Sequence, residues 1–357
     1  MMMLDSLERR RLMKPAQRSP SFVSRTIFVA IFLALSAGTA IAQTADPLPS
    51  WKPGAARQSI VDFVRATTDP ASPQFVPMEE RIATFDQDGT LWAEQPLPTQ
   101  GIYCLDRVPA LVAAKPELKD VEPFKTVLSG DRAAIAKLPM KDLETLLMAT
   151  LTGMTADQFQ VEVKNWLATA KDTRWKRPYT ELTYQPMQEL LQYLRDKGYK
   201  TYIVTGGGQD FVRVYAEKTY GIPPEQIVGT MGGTSLSYDD SGKPVINKDP
   251  KLLLNDNHAG KVEGIYLMIG RRPRAAFGNT PGDQQMLEYT KAGDGARLAM
   301  LVLHDDAVRE YAYGPAQHLP EVTMGAFPQD YYDLAIKNGW VVISMKNDWK
   351  RVFAFEK

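Results

Sequence analysis

Apolar residues in the second half of the chain fall into short runs separated by stretches of helical spacing. Lys200–Val204, Ile227–Met231, Arg274–Phe277 and Leu298–Leu303 have the length and composition of buried strands, each with a helix or loop behind it. Arg81–Phe85 is another such run, and it ends on Asp86 and a glycine-containing turn. Ser235–Asn247, carrying Asp239-Asp240-Ser241-Gly242, predicts a hairpin. From about Ile102 to Arg195 apolar residues recur at three and four, most clearly over Asp142–Met148 and Asp157–Leu167, which predicts helices. A helix is also expected from Gln209 to Tyr220. Strands separated by helices predict an α/β fold, a doubly wound parallel sheet covered on both faces. The helical block after the first strand then reads as a lid over the carboxyl ends of that sheet. The expected organisation is a core of residues 81–101 and 186–357, a helical cap at 102–185, and a proline-rich, polar linker and lead-in at 43–80 with one helix at Arg57–Ala66.

The N-terminus adds an address. Arg9, Arg10, Arg11, Lys14, Arg18 and Arg25 precede an apolar run from Ile27 to Leu35, and small residues follow, ending in Ala40-Ile41-Ala42. This is the layout of a secretory signal peptide cut after Ala42, which predicts a periplasmic or secreted protein. The alternative is an N-terminal membrane anchor, because the apolar segment with its flanks approaches the ~17 residues of a short span. With the signal removed, no stable membrane association is expected. Export permits disulfides, but Cys104 is the only cysteine, so an intrachain bridge is impossible. Cys104 reads as a small apolar residue on a helix. Lysine plus arginine and aspartate plus glutamate number 42 each, and this balance offers no basic excess for nucleic acid.

Candidate chemistry gathers where strands end, the place at which open α/β sheets put their sites. Asp86-Gln87-Asp88-Gly89-Thr90 sets two carboxylates two residues apart in a turn after a buried strand. They converge only because the chain leaves the extended conformation there. One suits attack on phosphorus while the other handles the leaving-group proton; an ordinary acidic loop or a calcium loop is the bland alternative. Thr205-Gly206-Gly207-Gly208 follows an apolar strand and precedes the expected helix, a hydroxyl with bare amides that reads either as a phosphate seat or as a plain glycine-rich turn. Lys261 precedes a further helix and is placed to neutralise phosphoryl charge or merely to be solvated. Asn279-Thr280-Pro281-Gly282-Asp283 closes a strand with an oxygen-bearing side chain at each end, which suits a hard cation such as Mg²⁺ or, for Asp283, a helix N-cap.

The order and spacing of these four clusters resemble the haloacid dehalogenase superfamily, phosphatase branch, across roughly Arg81 to Asp306. Asp86-Gln87-Asp88-Gly89-Thr90 resembles its first motif, Thr205 its second, Lys261 its third, and Asn279 through Asp283 its fourth. Asn255–Lys261 and Gly278–Asp283 are most similar to bacterial phosphoserine-phosphatase-like members, and the helical insert resembles a C1 cap. The resemblance implies a Rossmann-like core and roles for each residue: Asp86 as nucleophile, Asp88 as general acid and then base, Thr205 and Gly206 holding the phosphoryl group, Lys261 balancing its charge. It also implies Mg²⁺ held by Asp86, the Asp88 carbonyl and the fourth motif, through Asn279 or Asp283. Asn279 departs from the usual aspartate and is a neutral ligand.

The expected activity is hydrolysis of small phosphate monoesters through an aspartyl-phosphate. Asp88 favours esters over haloacids, since an alkoxide leaving group benefits from a general acid. A phosphotransferase or phosphomutase would use the same intermediate, and a weakly active phosphate-metabolite-binding protein is the reading Asn279 favours. His304, Asp305 and Asp306 read as structural or supporting residues. Trp92, Glu94 and Gln95 fall where the family carries a flap. Trp166, Trp175, Arg177 and Tyr179 read either as walls of a leaving-group pocket or as core.

Overall fold

A computed structural model of the protein describes residues 46–135 and 137–356. The expected signal peptide at residues 1–42 lies outside the described residues. No helix among the described residues is long and apolar enough to cross a membrane.

Seven strands form one sheet: β1 (Ile82–Phe85), β2 (Lys200–Gly208), β3 (Ile227–Tyr238), β4 (Pro244–Leu254), β5 (Ala275–Gly278), β6 (Leu298–Leu303) and β7 (Val341–Ser344). Their order is β4-β3-β2-β1-β5-β6-β7, and every neighbouring pair is parallel except β3 with β4. The α/β reading of the sequence is therefore correct. Alternate residues of a strand point to opposite faces, and here both faces are packed. Ile203, Phe277, Met300 and Val302 enter one core, while Val204, Ala276, Leu301 and Leu303 enter another. That two-sided burial is why the central strands read as unbroken apolar runs rather than alternating ones.

The strand order reverses at β1: β2 lies on one side of it and β5 on the other. The crevice beyond the carboxyl ends of β1, β2 and β5 is thus the topological switch point, where ligands of such folds bind. The chain between β1 and β2 contributes helices at Thr99–Ala114, Met140–Leu151, Ala156–Thr169 and Gln185–Asp196, with shorter turns between them. The β3–β4 hairpin reaches this insert: Gly153 N donates to Lys248 O at 3.1 Å and Lys248 N to Met154 O at 2.9 Å. Lys248 Nζ also pairs with Asp210.

Three local expectations differ from the structure. The hairpin extends well beyond Ser235–Asn247, because β3 runs unbroken from Ile227 and β4 pairs back along it to Leu254. The helix expected at Gln209–Tyr220 is two short pieces, Gln209–Arg213 and Ala216–Tyr220, broken where the Tyr215 ring stacks on Trp92. Residues 46–80 do more than link: the helix Ala55–Thr68 buries Ile60, Phe63 and Val64 in the main core, and Trp51 meets Trp349 edge to face at 6.0 Å. Burying four such side chains stabilises by about 1.5–3 kcal/mol each, enough to hold a polar-looking segment in place.

Candidate active site

The turn after β1 carries the acidic pair. Leu91 N donates to Gln87 O at 2.9 Å and Gly89 N to Trp92 O at 2.9 Å, so the chain doubles back on itself. Gly89 has φ +74°, a left-handed conformation that a side chain resists, and a Cβ there would lie 2.0 Å from Asn279 Nδ2. Asp86 and Asp88 emerge from this turn into different surroundings. Asp86 is buried and its Oδ1 accepts from Lys261 Nζ at 2.6 Å. Asp88 is half-buried, and its Oδ1 accepts from Trp92 Nε1 at 2.7 Å. Burial pushes the Asp86 carboxyl up to about 7, with the Asp283 carboxylate adding to the rise and Lys261 opposing it. Burial likewise raises Asp88 to about 6, against the pull of the Trp92 hydrogen bond and Lys261.

Lys261 comes from the helix Ala259–Gly264 and is only 2% exposed. Its ammonium lies 2.8 Å from Asp283 Oδ1 and 2.7 Å from Val204 O as well as against Asp86. Burial alone would lower its pKa, but the carboxylates of Asp283, Asp86 and Asp256 outweigh it and hold the ammonium above its ordinary range. The solvated-lysine alternative is thereby excluded.

Asp283 proves to be both an N-terminal turn residue and part of the charge cluster. Its Oδ2 accepts from Asn279 N at 2.9 Å and Thr280 N at 3.0 Å, while Oδ1 faces Lys261. Oδ2 is thus held by two backbone amides, while Oδ1 has the Lys261 ion pair but no hydrogen bond. Asn279 sits over the nucleophile turn: its Oδ1 accepts from Thr90 Oγ1 at 3.1 Å and its Nδ2 donates to Glu94 Oε1 at 2.8 Å.

The expected phosphate seat differs in kind. β2 continues through Gly208, and its pairing with β3 slips between Thr205 and Gly208, so Gly206 and Gly207 form a bulge in a strand rather than the N-terminus of a long helix. Thr205 Oγ1 accepts from Gly207 N at 3.0 Å, leaving its own proton to donate. Gly206 is exposed beside it.

Asp86, Lys261, Asp283 and Asn279 are thus joined by hydrogen bonds and ion pairs around the end of β1, with Asp88 in the same turn and Thr205 and Gly206 on the adjoining strand. The haloacid dehalogenase-like hydrolase family matches residues 83–288, which include all seven. The chain is a haloacid dehalogenase-like hydrolase. Solved structures with a similar fold include a conserved protein of unknown function from Anaerococcus prevotii DSM 20548, with 16% identity over 70% of this hydrolase and 86% of that chain and a TM-score of 0.46. A protein of unknown function from Bordetella pertussis Tohama I has 14% identity over 74% and 98%, with a TM-score of 0.44. A phosphoserine phosphohydrolase-like protein from Francisella tularensis has 18% identity over 63% and 88%, with a TM-score of 0.36. No curated protein matches the chain.

Around this centre the hydrolase has residues whose place the sequence did not disclose. Gln100, at the start of the insert, accepts from Gly208 N at 2.7 Å and so ties the insert to the bulge. Glu94 is buried, and burial pushes its carboxyl up to about 8 against the pull of His304. Glu94 read as a flap residue and Gln100 carried no signal, because their partners lie 185 and 108 positions away.

His304 is structural, as expected. Its Nε2 lies 2.8 Å from the Gly89 carbonyl, which only accepts, so that nitrogen carries the proton; Nδ1 lies 3.2 Å from Glu310. Asp305 bonds Ser344, and Asp306 pairs with Arg309 at 2.6 Å, away from the cluster. Gln95 donates to Met324 O. Trp166 stacks on Tyr179 at 5.5 Å, Trp175 packs on Phe353, and Arg177 lies over Phe355, so all four take part in packing. Burial lifts the Cys104 thiol to about 12, which removes it as a nucleophile.

Proposed function

We propose that this hydrolase cleaves small phosphate monoesters in two steps through a phosphorylated Asp86. The observation that carries the reading is the unequal treatment of two neighbouring carboxyls: Asp86 held against the Lys261 ammonium at 2.6 Å, Asp88 held by a neutral indole N–H at 2.7 Å. In the first step an Asp86 oxygen bonds to phosphorus and the ester P–O bond breaks. The leaving alkoxide takes a proton from Asp88, which is held by a neutral indole N–H rather than by an ammonium. In the second step Asp88 takes a proton from water, the water oxygen bonds to phosphorus, and Asp86 departs as a carboxylate. Lys261 balances the charge of the transferring group, and the Thr205 hydroxyl and Gly206 amide supply donors to its oxygens.

Magnesium fits the residues present. Asp86, the Asp88 carbonyl and Asn279 Oδ1 are hard oxygen donors, and Asn279 Oδ1 keeps a lone pair beyond the one Thr90 uses. When bound, the ion supplies positive charge that polarises the phosphoryl oxygens. Asp283 is a further candidate ligand through Oδ1, which has the Lys261 ion pair but no hydrogen bond, whereas two backbone amides hold Oδ2. The helical insert acts in this reading as a cap that excludes water and chooses the leaving group. In this reading the chain is exported with residues 1–42 removed; exported material that begins at Met1 would rule out the cleavage, and absence of the chain from the exported fraction would rule out the export.

The test is hydrolysis of p-nitrophenyl phosphate by the purified protein with magnesium or with chelator, beside Asp86→Asn. Turnover lost to both chelator and substitution supports the reading. Undiminished turnover by Asp86→Asn refutes it, and p-nitrophenol release coupled to phosphorylation of an added alcohol would favour a phosphotransferase.

A further inference from the structure

An asparagine amide has two ends of opposite character and nearly equal size, so its usefulness as an oxygen ligand depends on what fixes its rotation. In this hydrolase both ends of the Asn279 amide are held. Thr90 Oγ1 lies 3.1 Å from Oδ1, and a hydroxyl there would serve either end. Glu94 Oε1, 2.8 Å from Nδ2, discriminates, because it also receives the Tyr313 hydroxyl at 2.8 Å and so acts as an acceptor.

The surroundings are shaped around this one contact. Gly89 and Gly325 come from distant parts of the chain, and both have φ +74°. A Cβ on Gly89 would strike Asn279 Nδ2 at 2.0 Å, and one on Gly325 would strike Glu94 Oε1 at 2.2 Å. Tyr313, which holds Glu94, stacks on His304 at 4.3 Å, and His304 in turn donates to the Gly89 carbonyl. The chain of contacts leaves the nucleophile turn at Thr90, passes through Asn279, Glu94, Tyr313 and His304, and returns to the same turn at Gly89.

We propose that Glu94 is a positioning residue: by accepting from Asn279 Nδ2 it sets the amide rotation that turns Oδ1 towards the nucleophile turn, where it is available to magnesium. This rests on the proposed magnesium-dependent function, although the hydrogen bond itself does not. Partners of this kind typically change metal affinity or activity ~10–100-fold when removed.

Magnesium titration by calorimetry into the metal-free protein tests the proposal. Glu94→Ala should weaken binding about 10–100-fold. Glu94→Gln, which keeps an acceptor oxygen for Nδ2, should stay within about threefold of the parent, since no hydrogen bond need be lost. Tyr313→Phe should weaken binding by roughly three- to tenfold through the loosened Glu94, and it keeps the test alive if Glu94→Ala does not fold. Parent-like affinity in Tyr313→Phe, or a fall in Glu94→Gln as large as in Glu94→Ala, overturns the proposal. If the parent protein binds no magnesium, the functional reading falls instead. The positioning then stands or falls on the Asn279 side-chain NH₂ resonances of the metal-free protein: slow exchange in the parent lost in Glu94→Ala supports it, and no change refutes it.

Discussion

Replacing Lys261 with methionine gives the clearest test of how the charge cluster is balanced. The substitution keeps the length of the side chain but removes a buried ammonium that lies 2.6 Å from Asp86, 2.8 Å from Asp283 and 2.7 Å from the Val204 carbonyl. Two carboxyl oxygens within those distances of one nitrogen are at most about 5.4 Å apart, so two unscreened charges there repel by about 3 kcal/mol at an effective dielectric constant near 20. Removing one partner from a buried pair costs about 3–5 kcal/mol overall.

The cost should depend on pH, and its sign follows from the carboxyl. Asp86 already stands at about 7 with Lys261 opposing the rise, so its folded pKa climbs further without the lysine. A carboxyl whose folded pKa exceeds the unfolded value contributes its full stability below the unfolded pKa near 4 and loses it as pH rises through the folded value. Urea denaturation of the purified, metal-free variant should show a loss of about 1–2 kcal/mol at pH 5, chiefly the unsatisfied carbonyl, and about 3–5 kcal/mol at pH 8.5. Adding Asp86→Asn should recover much of the pH 8.5 loss. An equal loss at both pH values, or a stabilised variant at pH 8.5, would refute the reasoning.

Two further substitutions separate stability from activity. Asp88→Asn keeps an oxygen for Trp92 Nε1 but removes a carboxyl raised from 3.8 to about 6. It should lower turnover ~10²–10⁴-fold while stabilising the fold by up to about 2–3 kcal/mol at pH 8 and hardly at all at pH 4, read by urea titration and p-nitrophenyl phosphate assay. Gly89→Ala meets both a left-handed backbone and the Asn279 amide 2.0 Å from the new Cβ. A loss of about 2–5 kcal/mol in the same titration, with magnesium affinity falling alongside, is expected; a loss under about 1 kcal/mol would show that the turn relaxes freely.

Most of the sheet was legible because buried parallel strands are apolar throughout, and β2, β5 and β6 needed no long-range information to be found. β7, Val341–Ser344, is as short as β1 and β5 but is an edge strand only partly buried, so its signal is weaker than theirs. The four motif clusters were legible for a related reason. Three sit where β1, β2 and β5 stop around the switch point, and Lys261 reaches the same point from the helix Ala259–Gly264. What stayed hidden depends on partners far away in sequence. Glu94 gains meaning only once Asn279 and Tyr313 fold against it, and Gln100 only once the bulge at Gly208 reaches it. The lead-in helix looked like a linker because its composition is polar, whereas its one apolar stripe is covered by β6 and β7. The glycines after Thr205 did mark a helix start at Gln209, but only the ladder to β3 shows that β2 runs through them to Gly208 as a bulge.

The grip of the β3–β4 hairpin on the insert has a mechanical consequence. The insert is continuous with the core where it leaves after β1 and returns before β2, and the two backbone bonds between hairpin and insert at Lys248 add to the tie that Gln100 makes with the bulge. A body tethered at two points can swing about the line that joins them, but a third tether off that line removes the swing. Hairpin and insert must therefore travel together, so that the freedom to admit a substrate resides in the flexing of two long antiparallel strands rather than in a hinge between two globules.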